Sequence, residues 1–402
     1  MIQNDAVVFG ILAICVAVVT GLSHSKNHFW QKFFSIVPSV LMVYLLPAFL
    51  NSVGIIDSRE SKVYSFNTDY LLPACLILMT LSLDLKKLVK LGPKCLMIFF
   101  AGTIGVILGG PIALGLAKLF FSASVPDDSW KVLTTLAGSW IGGGVNQAAM
   151  KQVLQVDDTV FAMVVAVDIL VGNAWMAFLL FLANKNKVIN KWLKADHNLV
   201  NQLDISGTHH HAEAASFKDM TWMLALGFGG MGLCYLLAVP IVDFIKVYLP
   251  FLEKYNLTSV FFWVVILATV VGIISSMTKL RELEYKGASK LGTALLYLLV
   301  ASIGMKIHLT EMFQNPIFIF IGFVWIIIHG IIIMSVTKLL KAPLFFMAVG
   351  SQANIGAAAS APIVASAFAP HLAPVGVLLA VLGYVVGNYG AYICGLLMQM
   401  VN

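Results

Sequence analysis

AGSWIGGGVNQAAM (137–150) and VGSQANIGAAASAP (349–362) decide how this chain folds. Each opens on Gly-Ser and passes through glycines and amides in the middle of an otherwise apolar run. Glycine costs about 1 kcal/mol against alanine inside a helix, so Gly142, Gly143 and Gly144 together predict a break, as does Gly356 in the second stretch. Backbone groups freed in hydrocarbon cost several kcal/mol each unless they find polar partners. The side chains at hand are Asn146 and Gln147 in the first stretch and Ser351, Gln352 and Asn354 in the second. Two discontinuous helices, broken near 142–145 and 353–356 and crossing at mid-membrane, are the expectation.

Outward from these motifs the chain is apolar almost throughout. Of 402 residues 60% are hydrophobic and 11% charged, with a mean hydropathy of +0.92. A soluble chain carries roughly 25% charged residues, so lipid must be the solvent here. Disordered, collagen-like and disulfide-stapled classes are excluded. The net charge of +6 is spread over loops and points to no nucleic-acid partner. Cys15, Cys75, Cys95, Cys234 and Cys394 lie in or beside apolar runs with no CxxC pair, and read as small buried hydrophobes. The N-terminus lacks the basic region of a cleaved signal, so 6–22 reads as a retained helix.

A spanning helix needs about 20 apolar residues. Runs near that length fall at 6–22, 33–50, 70–83, 95–120, 130–154 and 158–183, and again at 221–239, 258–276, 291–305, 316–338, 343–368 and 373–398. The reading is an all-α polytopic membrane protein with about 12–13 transmembrane helices in two inverted repeats, multi-pass in the cell (inner) membrane. The first repeat covers 1–183, with scaffold helices at 6–50 and a transport core at 70–183. A polar linker at 184–219 follows. The second repeat covers 220–402, with scaffold helices at 221–276 and core helices at 291–398.

Ordered matches support the duplication. Gly138 to Val171 spans 33 residues and Gly350 to Val386 spans 36, each ending on Val-Gly-Asn with Asn173 or Asn388. LSLDLKKLVKLGP (81–93) has a looser counterpart in 302–316. Lysines prefer the cytoplasmic side, so Lys86, Lys87, Lys90 and Lys94 put the loop after the third span inside, and Asp127 and Asp128 fall outside in the next. Lys338 and Lys341 put the loop before the eleventh span inside, opposite to its counterpart before the fifth. That reversal implies inverted topology, whereas an offset of six spans implies parallel repeats. An uncounted span at 240–257 would reconcile the two.

Asp168, part-way through the sixth span, is the carboxylate expected near mid-membrane, where such groups mark ion or proton pathways or serve as structural partners. Asn173 and Asn388 can offer an oxygen to a cation or cap a broken end. His329 reads as a packing residue, Lys306 and His308 as snorkelling interface residues, and His209, His210 and His211 as part of a solvated linker. The chain has no Walker A motif, which argues against an ATP-driven pump, and a transporter rather than an enzyme is expected.

These residues resemble the cation:proton antiporter / anion transporter superfamily, in particular its bile-acid:sodium symporter branch and the YjcL-like membrane proteins of unknown function. LMTLSLDLKKLVKLGPKCLMIFF (78–100) resembles the symporters' GLxL…DF helix end. The stretch 142–168 is similar to their first crossing helix, and 349–372 to the second with its ExGxQN signature. The resemblance implies two crossed discontinuous helices in a core that moves against a dimerising scaffold in an elevator-like cycle. It places Asn146, Gln147, Gln352 and Asn354 at or near cation sites. Ala348 stands where that signature has Glu, which puts a two-sodium arrangement in doubt, and Asp168 could supply the missing charge.

The functional expectation is a secondary active transporter for a small polar or anionic organic solute, coupled to sodium or protons, with ligands drawn from Asn146, Gln147, Asp168, Asn173, Ser351, Gln352, Asn354 and Asn388. No cofactor is expected beyond sodium as coupling ion, and no metal site beyond a sodium site at the helix crossing. The expected partners are the solute, the bilayer and a second copy in a homodimer. The alternative is a monovalent cation:proton antiporter using Asp168. A third reading is a membrane receptor or assembly subunit that kept the fold, supported only by the long polar loop.

Overall fold

Lipid cannot satisfy open backbone groups, so apolar runs of this length become helices. The computed structural model describes residues 2–37, 39–57, 61–196, 198–201, 214–255, 257–306 and 315–401. The first half holds α1 (Asp5–Ser23), α2 (His28–Ile36), α3 (Ser39–Ser52), α4 (63–80), α5 (Leu85–Lys90), α6 (Pro93–Phe121), α7 (Ser129–Gly142), α8 (Gly144–Val153), α9 (Asp158–Asn184) and α10 (Asn186–Leu193). The second holds α11 (Phe217–Tyr248), α12 (Val260–Ser276), α13 (Ala288–Gly304), α14 (Ile317–Leu339), α15 (Leu344–Ile355), α16 (Ala357–Phe368) and α17 (Ala373–Gln399). Local chemistry sets several starts. Asn4 accepts the Ala6 and Val7 N–H groups, Asp157 those of Thr159 and Val160, and Ser216 with Asp219 forms a capping box.

This is an all-α polytopic membrane protein. Six described helices (α1, α6, α9, α11, α14 and α17) are long and apolar enough to cross a bilayer, and eight if two bent pairs each count as one span. The bent pairs are α2 with α3, at 95°, and α12 with the short turn Lys279–Tyr285, at 92°. All five cysteines are free and buried. The segment 240–257 supplies no extra span among the described residues. Its first part completes the 32-residue α11, with Asp243 and Lys246 exposed near its end, and Pro250–Tyr255 is a single tight turn. The His209–His211 tract and His308 lie outside the described residues.

The runs at 130–154 and 343–368 are discontinuous, and at each break the chain reverses rather than continuing. In a straight helix residues eight apart are separated by about 12 Å along the axis. Yet Gln352 Nε2 donates to Ser360 Oγ at 2.6 Å across Gly356. A methyl group built on Gly138 would meet the Asn146 carbonyl oxygen at 2.8 Å across Gly143. Each run is therefore a helical hairpin, α7–α8 and α15–α16. The conformation explains the first turn: Gly143 has φ +77 and ψ −176, which no helix accommodates. At the second, Ala357 takes the left-handed φ of +49, and Gly356 keeps a negative φ of −116.

Neighbouring helices confirm the reversals. α14 packs antiparallel on α6, with His329 against Gly105 and Trp325 against Gly109. α17 runs parallel to α6, with Gly390 near Ile107 and Gly115 near Val401. α9 runs parallel to α14, with Val167 and Val171 at Gly322 and Trp175 at Gly330. So α6 and α17 point one way, and α9 and α14 the other. Between α6 and α9, as between α14 and α17, the chain must reverse an odd number of times, which a hairpin provides and a single kinked span does not.

Packing divides the helices into two groups. α6–α9 and α14–α17 pack on one another, and the small residues Gly376, Gly383, Gly387 and Gly390 of α17 let α16 and the first hairpin approach closely. α1, α3, α4, α11, α12 and α13 form the other group, so α4 and α13, grouped with the core by sequence, pack mainly against α3 and α12 and each other. The groups meet through α8 and α17 against α4 and α12, including a Phe262–Tyr392 ring contact at 4.8 Å. α5 joins them. Its N-cap Asp84 accepts the Lys87 N–H at 3.0 Å and pairs with Arg281. Burial pushes the Asp84 carboxyl up, but the Lys87 N–H and Arg281 outweigh it and hold it below its ordinary value.

The two adjacent glycines of the first turn have opposite requirements. At Gly143 a methyl would meet Ala357 Cβ at 2.8 Å in a left-handed backbone, whereas at Gly144 nothing lies within 4 Å. Gly143→Ala is expected to destabilise the purified protein by roughly 1–3 kcal/mol, and Gly144→Ala to leave its melting temperature unchanged or raise it. Paired thermal melts in detergent check this contrast.

Candidate functional site

The two turns touch each other, as the approach of Gly143 to Ala357 shows. The N-terminal ends of α8 and α16 therefore converge, each carrying the partial positive charge of its first turn. Asn146 holds the first turn closed: its Nδ2 donates to the Gly142 carbonyl at 2.8 Å and, more loosely, to the Tyr384 carbonyl at 3.4 Å. Gly142 and Gly387 leave room for this amide, since a side chain at either would collide with Asn146 Nδ2. Gln352 holds the second turn through Ser360.

Those bonds use only part of each amide. Asn146 Oδ1, Gln147 Nε2, Gln352 Oε1 and both polar atoms of Asn388 are buried without a hydrogen-bond partner. A buried unpaired polar atom costs roughly 1–3 kcal/mol, and native structures hold few of them. Here they fall on four of the residues that the sequence marks as ligands. Asn388 adjoins Gly387, which itself packs on Asn146. The remaining described orphans are Tyr44 Oη, Asn51 Nδ2 and Asn67 Oδ1, on α3 and α4. Oxygens of this kind suit a hard monovalent cation, and amide N–H groups at converging helix N-termini suit an anionic group.

Other expected ligands are tied into the protein. Asn354 accepts from Thr103 Oγ1 at 2.8 Å and donates to the Phe99 and Gly350 carbonyls at 3.2 and 2.9 Å, stapling α15 to α6. Ser351 is a link in a directional chain. A carbonyl only accepts, so His329 Nδ1, 2.9 Å from the Gly102 oxygen, carries the proton. His329 Nε2 then accepts from Ser351 Oγ at 2.8 Å, and Ser351 accepts from Trp175 Nε1 at 2.8 Å. His329 thus has both ring nitrogens engaged and is a satisfied packing residue. Asn173 donates to the Ile169 carbonyl of its own helix at 2.8 Å.

Asp168 lies between the hairpins. Its oxygens accept from Ser139 Oγ at 2.6 Å and Trp140 Nε1 at 2.8 Å, both on the last turn of α7. Gly172, one turn on, faces Ile355 at the second turn. Two neutral donors hold the carboxylate, not a lysine and not the freed backbone of a turn. Among the described residues no cluster of three or more His, Cys, Asp or Glu side chains could hold a metal ion.

Lys151 was not marked by sequence reasoning. Buried near the open end of the first hairpin, it donates to Tyr64 Oη of α4 at 2.7 Å and to Asp158 Oδ1 at 2.6 Å. Its ammonium also lies 4.7 Å from the Tyr64 ring centre and 5.3 Å from that of Phe161. The available signal was an isolated lysine seven residues before Asp158 in an apolar context. Thr103, Trp140 and Trp175 carried no signal, because their partners lie far off in sequence.

The architecture is that of a multi-pass membrane protein, in keeping with the cell (inner) membrane. Residues 10–401 match the model of a family described as proteins of unknown function (DUF819), and the chain belongs to that family. It is similar to the uncharacterized membrane protein YjcL of Bacillus subtilis (strain 168), at 25% identity over 409 residues, covering 97% of this chain and 96% of that one.

The bonding pattern separates two asparagines. Asn354→Ala removes three hydrogen bonds and leaves Thr103 only its longer contact to the Phe99 carbonyl at 3.4 Å, and should cost roughly 2–4 kcal/mol of stability. Asn388→Ala removes two unpaired atoms and should leave stability unchanged or higher. Denaturation of the two purified variants side by side checks the ordering.

Proposed function

We propose that this protein is a secondary active transporter for a small anionic organic solute, coupled to sodium or protons. The observation that carries the reading is the set of unpaired buried amide atoms on Asn146, Gln147 and Gln352, on the two touching hairpins, and on Asn388, next to the Gly387 that packs on Asn146. Converging helix N-termini and amide N–H groups offer donors to a carboxylate, and the unpaired amide oxygens offer ligands to a cation. Substrate and coupling-ion sites built from discontinuous helices are a recurring transporter design.

Opposed helix directions support an inverted repeat in which α6 to α9 corresponds to α14 to α17. Counting each hairpin as re-entrant resolves the clash between loop charge and span number, because it replaces one crossing per repeat. The resemblance to the cation:proton antiporter / anion transporter superfamily points the same way. In this reading α6–α9 and α14–α17 form the moving core, and α1, α3, α4 and α11–α13 a scaffold that dimerises, with an elevator-type motion between them. Lys151 and Tyr64 bridge the groups and must part when the core moves.

The alternative, a cation:proton antiporter without organic solute, draws on Asp168. Its two neutral donors leave the carboxylate without a fixed counter-charge, as an exchanging cation or proton requires.

Proteoliposomes on a solid-supported membrane, challenged with mono- and dicarboxylates with and without sodium, separate these readings. The transporter reading expects solute-evoked currents that depend on the sodium or proton gradient, and Asp168→Asn is expected to abolish that dependence while solute exchange persists. Ion-evoked currents without any solute response would favour the antiporter. Absence of both would remove the transport reading.

A further inference from the structure

The short helix after α9 takes no part in the chemistry above. α10 presents three faces. Its buried face carries Asn190 and Leu193, and Asn190 Oδ1 accepts the Leu344 N–H at 2.8 Å, capping α15 where Pro343 offers no side-chain cap. Lys187 and Lys191, one turn apart, form a second, exposed face, and Lys194, the left-handed C-cap, is exposed where the helix ends. Val188 and Trp192, four apart, form a third, and are 70% and 51% exposed.

The end of α14 and the loop before α15 add to this surface. Lys338 Nζ lies 3.8 Å over the Trp192 ring, and the Lys341 carbonyl accepts the Asp196 N–H at 3.0 Å. With Lys185 this gathers six lysines, against one carboxylate, Asp196, within 185–196 and 338–343. A lysine-rich end is the cytoplasmic one, where the leaflet is anionic. An exposed basic face beside an exposed apolar ridge is the design of a helix lying in the headgroup layer.

We propose that α10 is a binding surface for anionic phospholipid. Headgroup phosphates meet Lys187, Lys191 and Lys194, and acyl chains cover Val188 and Trp192. Through Asn190 the bound lipid steadies the start of the second hairpin.

The test uses the full chain purified in detergent, with melting temperature read against added dioleoyl phosphatidylglycerol, dioleoyl phosphatidylcholine or inorganic phosphate. The glycerol lipid should raise the melting temperature above the choline lipid, and the gain should shrink with salt. The triple variant Lys187→Gln, Lys191→Gln, Lys194→Gln should bind the anionic lipid on the order of 100-fold more weakly, from the per-lysine attraction of a charged surface. The corresponding triple Lys→Arg variant should keep the response. Equal shifts from both lipids, an undiminished response in the Gln variant, or reproduction of the shift by phosphate alone would overturn the proposal.

Discussion

Backbone polar groups at bilayer depth must be paired by the protein or by what it carries, and the two hairpin turns are where this constraint is tightest. At Gly143 and Gly356 two helices end and two begin within a few residues, exposing carbonyls and N–H groups together. Amide side chains brace both turns. Asn146 closes one turn, Gln352 the other, and Asn354 ties the second hairpin to α6. The glycines of α17 follow from the same need, since only a surface without side chains lets the first turn approach.

The amides then bring a second constraint. An amide has both a donor end and an acceptor end, and a side chain that spends one on closing a turn must place the other somewhere. At Asn146 and Gln352 the unspent atom is an oxygen, and at Gln147 a donor. In the proposed reading these unspent atoms, with the helix ends, are what would meet an anion and a cation. The nearby carboxylate, Asp168, is fixed by Ser139 and Trp140 on the first hairpin, so its state and the position of that hairpin are mechanically linked.

Composition and apolar runs made the membrane class legible in the sequence, and the glycine triplet and the Gly-Ser motifs made the two breaks legible, because glycine acts locally. Whether a break kinks or reverses was not legible: both have the same residues and differ by a few backbone dihedrals around Gly143 and Ala357. Hence the span count and the loop charges clashed, and 240–257 drew attention as a missing span when it is the end of α11 and a turn. The amides were readable as a group but not individually. Asn354 and Asn146 look alike in sequence, and only Thr103 and Phe99, 251 and 255 residues away, make Asn354 a staple. Lys151 escaped notice because its buried setting depends on Tyr64, 87 residues earlier.

Ligand-dependent melting of the purified protein tests the central claim most directly, because a species that binds only the folded state raises the melting temperature by mass action. Wild type and Gln352→Leu would be compared in sodium, potassium and choline chloride, at several pH values, with and without small carboxylates. The account predicts a saturable, cation- or proton-dependent gain in wild type that Gln352→Leu loses, from a baseline in choline lowered by loss of the bond to Ser360. A protein indifferent to every cation, proton and carboxylate tested, or a gain that persists in Gln352→Leu, would contradict it.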